Sequence, residues 1–164
     1  MSEKKLVQRA DKVAFMKVKD KFERMQGFTG MSTSKNPKEY TRQYVDELFE
    51  TTDVVGISAS IEFAFDQFVG NPVHDKLTEM IDNEVVGTDA VVEIMVVDFT
   101  KPTSGGTGNE FEARTRKYSV IPNTEGGSLD AYTYEGTFRV NSNTEKGTAT
   151  STDKFLTADF KKAE

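Results

Sequence analysis

A mainly β protein, with one amphipathic helix covering a sheet, is the fold class this sequence predicts. Three observations carry that prediction. Ile57, Ala59, Ile61, Phe63 and Phe65 alternate with Ser58, Ser60, Glu62 and Asp66, the period of two expected of a half-buried strand. Asn71-Pro72 then sets an N-cap residue directly before a proline at the first helical position, and Val73, Leu77, Met80 and Ile81 follow at helical spacing. Almost every other segment reads as strand or loop.

Taken in order, residues 1–12 are polar and charged and read as an N-terminal arm. Val13, Phe15 and Lys17 alternate with Ala14, Met16 and Val18 and open the first strand. Residues 25–39 hold Gly27, Gly30, several Ser and Thr and Asn36-Pro37, with few core candidates. They are expected to form a long loop, and long loops in compact domains are usually functional or disordered. Tyr40, Arg42 and Tyr44 begin a second strand. Residues 46–53, acidic apart from Leu48 and Phe49, lead into the long strand from 54. The helix is expected over 72–86, packing through Val73, Leu77, Met80 and Ile81 and closed by Gly87. Strand resumes over 91–99, and the glycine-rich stretch at 101–108 is a flexible connector. Residues 111–121 alternate again, and Gly126-Gly127 makes a turn. Tyr132, Tyr134, Phe138 and Val140 share a strand face that Gly136 interrupts, the mark of a bulge or a close backbone approach. A turn at 141–146, a short strand at 147–150 and a tail bearing Phe155, Leu156 and Phe160 complete a single domain over 13–164.

Composition narrows the function. With 164 residues the chain buries a real core, and the absence of cysteine excludes a disulfide framework, a thiolate metal site and a thiol nucleophile. No segment has the length and apolarity of a signal peptide core or a membrane span, so a soluble protein made in a cytoplasm is expected. The net charge of −6 hides a segregation. Residues 1–43 carry 11 basic against 5 acidic side chains, residues 44–99 carry Lys76 alone against 13 acids, and residues 100–164 carry 9 of each. One reading is a solvated acidic face with a basic tail; the other is a self-assembling subunit whose basic arm docks on a neighbour's acidic body. Phosphate binding by the body of the domain fits neither, because it needs Lys and Arg clustered with little acid between them.

The chain offers no convincing active site, and no enzyme activity or cofactor is expected. His74, the sole histidine, sits in the first helical turn, where a surface polar role is the expectation. Zinc spacings are excluded by one histidine and no cysteine, and Asp82, Glu84 and Asp89 do not match a calcium loop. Glu62 and Asp66 read better as solvated or neighbour-facing carboxylates than as an acid–base pair. Gly105-Gly106-Thr107-Gly108 lacks the Lys and the following helix of a phosphate loop. The Tyr132, Tyr134 and Phe138 stripe lacks basic residues on its own face and reads as packing rather than a base-stacking platform.

The order of elements, together with the segment 131–140 (Ala-Tyr-Thr-Tyr-Glu-Gly-Thr-Phe-Arg-Val) and the following Gly147-Thr148-Ala149-Thr150, resembles the tail tube, or major tail, proteins of long-tailed bacteriophages. The likeness is nearest to non-contractile, siphovirus-like tails of phages of Gram-positive hosts. It implies a β-barrel or sandwich flanked by one helix, with a long inter-subunit loop at 25–39 and the arm at 1–12. It also implies a structural virion protein that forms hexameric rings stacked into a tube, through which double-stranded DNA leaves without specific binding. The partners implied are further copies of the chain, a tape measure protein inside the tube, and the tail terminator and distal tail proteins, with no membrane. The implied location is the virion tail, after assembly in the host cytoplasm.

Under that resemblance Lys4, Lys5 and Arg9 of the arm and Phe28, Met31, Lys35 and Lys38 of the loop are inter-subunit candidates. Glu62, Asp66 and Glu93 are candidates for an acidic lumen or interface, where like charge would let DNA slide. Arm and loop hold too little apolar matter to fold alone and are expected to order on assembly. The alternatives are the tube of a contractile tail or phage-like bacteriocin particle, and a monomeric β-sandwich binding module, which the lack of Trp disfavours.

Overall fold

A computed structural model describes residues 4–103 and 109–163; most of the glycine-rich connector lies outside them, as do the first three residues of the arm. Strands β1 (Lys12–Val18), β2 (Lys21–Arg24), β3 (Phe28–Ser34), β4 (Pro37–Arg42), β5 (Thr51–Ile57) and β6 (Ser60–Asp66) precede the helix α1 (Pro72–Asp82). Strands β7 (Val91–Pro102), β8 (Glu110–Gly126), β9 (Thr133–Val140), β10 (Glu145–Thr150) and β11 (Thr157–Lys162) follow it. Nine strands form one sheet in the order β10-β11-β2-β1-β7-β8-β9-β6-β3, and β10 also pairs with β8. That extra pairing closes β10, β11, β2, β1, β7 and β8 into a six-stranded barrel, leaving β9, β6 and β3 as a wing. All the pairings are antiparallel.

Both parts hang on β8, a strand of 17 residues. Its first half pairs with β10 (Ala113 opposite Gly147) while its second half pairs with β9 (Val120 opposite Phe138). A strand shared in this way has apolar groups on both faces, and so do its neighbours. On β1, Phe15 points into the barrel with Met95, Val97, Ala149 and Phe155, whereas Ala14 and Met16 point outward beneath the helix. The barrel interior is solid. Phe155 meets Phe15, Phe99 and Phe111 edge-on at ring centroid distances of 6.3, 5.1 and 5.5 Å.

The second core lies between the helix and the wing, where Val73, Leu77 and Ile81 meet Ile61, Phe63, Phe65 and Phe138. Met80, expected on the same helical face, is only half-buried at its margin. The period-two reading of Ile61, Phe63 and Phe65 holds, and Glu62 is exposed between them. Phe63 stacks on Phe138 at 4.2 Å and lies opposite Gly136. A Cβ at Gly136 would stand 2.6 Å from the Ile121 carbonyl and 2.9 Å from the Phe63 ring, so the close approach expected there is real. The register of β8 slips between Pro122 and Thr124, directly across from it.

Several boundaries differ from the sequence reading: β7 runs on to Pro102 and β8 to Gly126, β10 begins at Glu145, and β11 forms in the tail. The helix ends at Asp82 rather than 86: Asn83 donates its N–H to the Glu79 carbonyl at 3.0 Å, and Glu84 turns left-handed at φ 51°. Gly87 therefore opens a short 3-10 turn instead of closing the helix. The long strand from 54 is two strands, because Ser58 leaves the ladder and its carbonyl accepts from Asn36 Nδ2 at 3.0 Å. Residues 25–39 are not a loop. β3 and the start of β4 occupy most of that segment, since period-two pairing of Met31 and Thr33 with Phe63 and Ile61 needs no bulky run on the edge strand.

Leu77 is fully buried in the second core. Leu77→Ala is expected to lower unfolding stability by about 2–5 kcal/mol, read from urea denaturation with an unchanged m-value. Gly136→Val, which drives branched carbons into a carbonyl and a ring, is expected to lower it further in the same assay.

Candidate assembly surfaces

Among the described residues no group of His, Asp and Glu is arranged to hold a metal. Among the described residues no helix is long and apolar enough to cross a membrane. His74, expected at the surface, is fully buried. Its Nδ1 accepts from the Phe68 N–H at 3.0 Å and its Nε2–H donates to the Gln26 carbonyl at 2.6 Å, which fixes the neutral Nε2–H tautomer. The ring stacks on Phe65 at 4.6 Å and meets Phe28 edge-on at 5.6 Å. Burial pushes its pKa below the ordinary 6.5, more than the Gln26 bond and the Asp75 and Asp66 charges raise it. Asn71 caps the helix, Oδ1 accepting from Val73 N–H at 3.0 Å and His74 N–H at 3.3 Å, while its Nδ2 donates to the same Gln26 carbonyl at 3.4 Å. Helix and β2–β3 turn are thereby one unit.

That turn borders a groove of about 460 Å³ between the N-terminal turn at Arg9–Asp11 and the start of β3. Three of the expected inter-subunit residues, Arg9, Phe28 and Met31, line it together, with Lys12, Arg24 and Met25. Phe28 and Met31 are half-buried, each with one side on the second core. Lys4 and Lys5 are exposed ahead of the turn and line none of it. Lys35 and Lys38 lie elsewhere, exposed at the root of the hairpin formed by β4 and β5.

The hairpin was not legible as a unit. Among the described residues β4 and β5 pair only with each other. From 35 to 58 every residue is exposed except Arg42 and Gly56, which are half-buried. Eight large apolar or aromatic side chains stand on it in water: Tyr40, Tyr44, Val45, Leu48, Phe49, Val54, Val55 and Ile57. Its form comes from its own polar contacts. Arg42 is ion-paired with Asp53 and lies over the rings of Tyr40 and Tyr44, and the Thr41 and Thr52 hydroxyls meet at 2.9 Å. Val54 and Ile57 had read as the beginning of the core strand, and only their missing partner sheet tells them apart from it.

The acidic candidates are dispersed. Glu62 is exposed and Asp66 half-buried on the wing. Glu93 sits 3.9 Å from the Lys17 ammonium, in a concavity lined also by Lys19, Lys76 and Lys117. Lys76 donates to the Lys17 carbonyl at 2.7 Å, and burial followed by the Lys17 charge pushes its pKa down. Here the fold places the lone cation of the 44–99 segment among cations from elsewhere. At the opposite end of the barrel, Asp153 accepts from the Thr157 hydroxyl at 2.6 Å, the Thr157 N–H at 3.0 Å and Ser151 at 2.7 Å, which holds its pKa down at about 2. This turn carries Phe155 into the barrel.

No protein-family model matches the chain, and no curated protein sequence does. Solved structures do match its fold. A chain from the tail of an empty gene transfer agent particle, refined with C6 symmetry, superposes with a TM-score of 0.60 at 13% identity, covering 85% of this chain and 97% of that one. A chain from the virion of a native gene transfer agent particle gives 0.59 at 13% identity, covering 86% and 98%. A chain from the anti-feeding prophage cap, the tube terminating cap of that particle, gives 0.52 at 15% identity, covering 92% and 95%. The closed barrel with its wing and single helix is thus the tail tube fold.

His74 makes stability depend on pH. The unfolded chain takes a proton near 6.5 while the folded chain resists it, so stability is full above that value and falls as the pH drops through it. Chemical denaturation between pH 7.5 and pH 5.5, values chosen to span roughly one unit on either side of the free imidazole, is expected to show that slope in the wild type. His74→Gln, with no titrating ring, is expected to flatten it.

Proposed function

We propose that this chain is the structural subunit of a phage-like tail tube: copies associate into hexameric rings, and the rings stack into a hollow conduit for double-stranded DNA. The hairpin carries this reading. Two strands alone are marginal in water, and an ordered element presenting eight large apolar groups needs a partner surface to bury them. Its own two cores are already filled, so that surface belongs to another molecule. The fold likeness to chains of tail particles supports a further copy.

The filled barrel bears on where a conduit lies. Phe15, Phe99, Phe111 and Phe155 block the interior, so DNA passes between subunits arranged in a ring and not through one subunit. β3 is the free edge of the nine-stranded sheet and is rich in Ser and Thr, without a charge or proline along Phe28–Ser34. An edge of that kind invites pairing with a neighbour, which a ring satisfies. A tape measure protein within the tube, terminator and distal proteins at its ends, and residence in the virion tail belong to the same proposal.

Electron microscopy of the concentrated protein is expected to show tubes of uniform width. Rings that never stack would assign the chain to the terminator type, and a persistent monomer would remove the proposal. Replacing 38–56 with a short turn is expected to leave circular dichroism and thermal unfolding close to wild type and to abolish tubes. Loss of the β signal in that variant would show that the hairpin supports the fold instead.

A further inference from the structure

Between β4 and β5 lies a tip, residues 43–50, that joins two kinds of unsatisfied chemistry. Leu48 and Phe49 are 88% and 80% exposed. Beside them Asp46, Glu47 and Glu50 are exposed, and none is ion-paired among the described residues. A surface that receives this tip must offer cations and an apolar floor together.

Of three concavities among the described residues, one meets both demands. The concavity at Lys17, Lys76 and Lys117 is cationic, but its apolar lining is limited to Val91 and Val92. The one at Val85, Val120, Ile121 and Pro122 is apolar and has no charged side chain. The groove at the N-terminal turn has Arg9 and Arg24 above Met25, Phe28 and Met31. Neither Arg9 nor Arg24 is ion-paired among the described residues; Arg9 spends one N–H on the Lys12 carbonyl at 2.6 Å. A guanidinium with free N–H groups suits a carboxylate, which it can hold through two parallel hydrogen bonds.

The tip is not placed in its own groove. No residue of 43–50 lines it. The groove runs along Phe28–Met31 of β3 and the hairpin root lies at the Ser34 end, about 10 Å along the strand from its nearer edge. We infer that the tip of one copy docks in the groove of the next, Leu48 and Phe49 on the Met25, Phe28 and Met31 floor and the tip carboxylates on Arg9 and Arg24. In a tube the neighbour that receives the tip is not the one whose tip is received, so the contact runs head-to-tail from copy to copy, and a reciprocal exchange would instead stop at a pair. This inference rests on the tube reading and names the contact that joins its subunits.

The test is charge reversal on both sides. Asp46, Glu47 and Glu50 are all changed to Lys in one variant, Arg9 and Arg24 to Glu in a second, and all five in a third. Assembly is read by sedimentation and by tube length in micrographs at equal concentration, with circular dichroism to verify the fold. Each one-sided variant is expected to assemble at least about tenfold less, and the five-site variant to recover most of that loss. A cross-link reports the contact directly, because the chain has no cysteine of its own. Leu48→Cys with Met31→Cys is expected to give an oxidation-dependent ladder of dimers and higher multiples. Wild-type tubes with unaffected one-sided variants, no recovery in the five-site variant, or no ladder would each overturn the contact and leave the tube reading standing. A wild type that never assembles would remove both.

Discussion

The carbonyl of Gln26 accepts from two side chains of the helix N-terminus, His74 and Asn71, and the second core is built around that junction. A carbonyl has two lone pairs, so it satisfies both donors without either being orphaned. The pairing seats the first helical turn over Phe65 and Phe28 and fixes the angle at which Leu77 and Ile81 descend on the wing. It also explains Gly27. That residue stands at φ 76°, and a Cβ there would lie 2.8 Å from the imidazole, so backbone and space both demand glycine. At the far end of the helix the Tyr134 hydroxyl donates to Asp82 at 3.2 Å. This offsets a carboxylate placed at the unfavourable end of the helix dipole. Burial, then that carboxylate, push the Tyr134 pKa up to about 12.

Three sets of apolar residues stand out in the chain. Two of them close: the barrel interior is filled by aromatic rings meeting edge to face, and the helix–wing layer by stacked rings and aliphatic groups. The third stands on the hairpin and is not buried by anything in the same molecule. A fold that had failed to bury its hydrophobic groups would leave them scattered. Here others do stand singly elsewhere, Leu6, Val69 and Leu129 among them, but eight gather on one element tied by its own ion pair and hydroxyl contact, a concentration that suits the proposed interface better than a poorly packed core.

Much of the fold was legible because its signals are local. Alternation along Ile61–Phe65 depends only on chain geometry, the Asn71-Pro72 cap on the needs of a helix N-terminus, and the constraint at Gly136 on a missing side chain amid aromatic ones. What escaped reading depends on partners distant in sequence. Residues 28–34 look like a loop until Phe63 and Ile61 are set beside Met31 and Thr33. His74 looks like a surface residue until Gln26, 48 positions earlier, is brought to it. Of the residues expected between subunits, Arg9, Phe28 and Met31 line one groove, while Lys4, Lys5, Lys35 and Lys38 do not join them. Val54, Val55 and Ile57 were missed for a definite reason. Their pattern is that of a core strand, and whether such a strand is covered is a property of the whole fold.

Holding the hairpin in shape before assembly changes the energetics of association. A disordered segment of this length would have to lose its backbone freedom at the moment of contact, at about 1–2 kcal/mol for each residue fixed. A hairpin closed by Arg42, Asp53, Thr41 and Thr52 and pinned at its root by Asn36 has already lost most of it. Preorganisation of this kind raises affinity at constant contact area. It also exposes a sticky surface, and the acids at the tip counter that hazard. Like charge on every tip keeps tips from binding one another, and cations at the far end of β3 give them a different destination. Under the proposed contact, Arg9 and Arg24 of the basic first quarter and Asp46, Glu47 and Glu50 of the acidic segment after it supply the two sides of one contact between adjacent molecules.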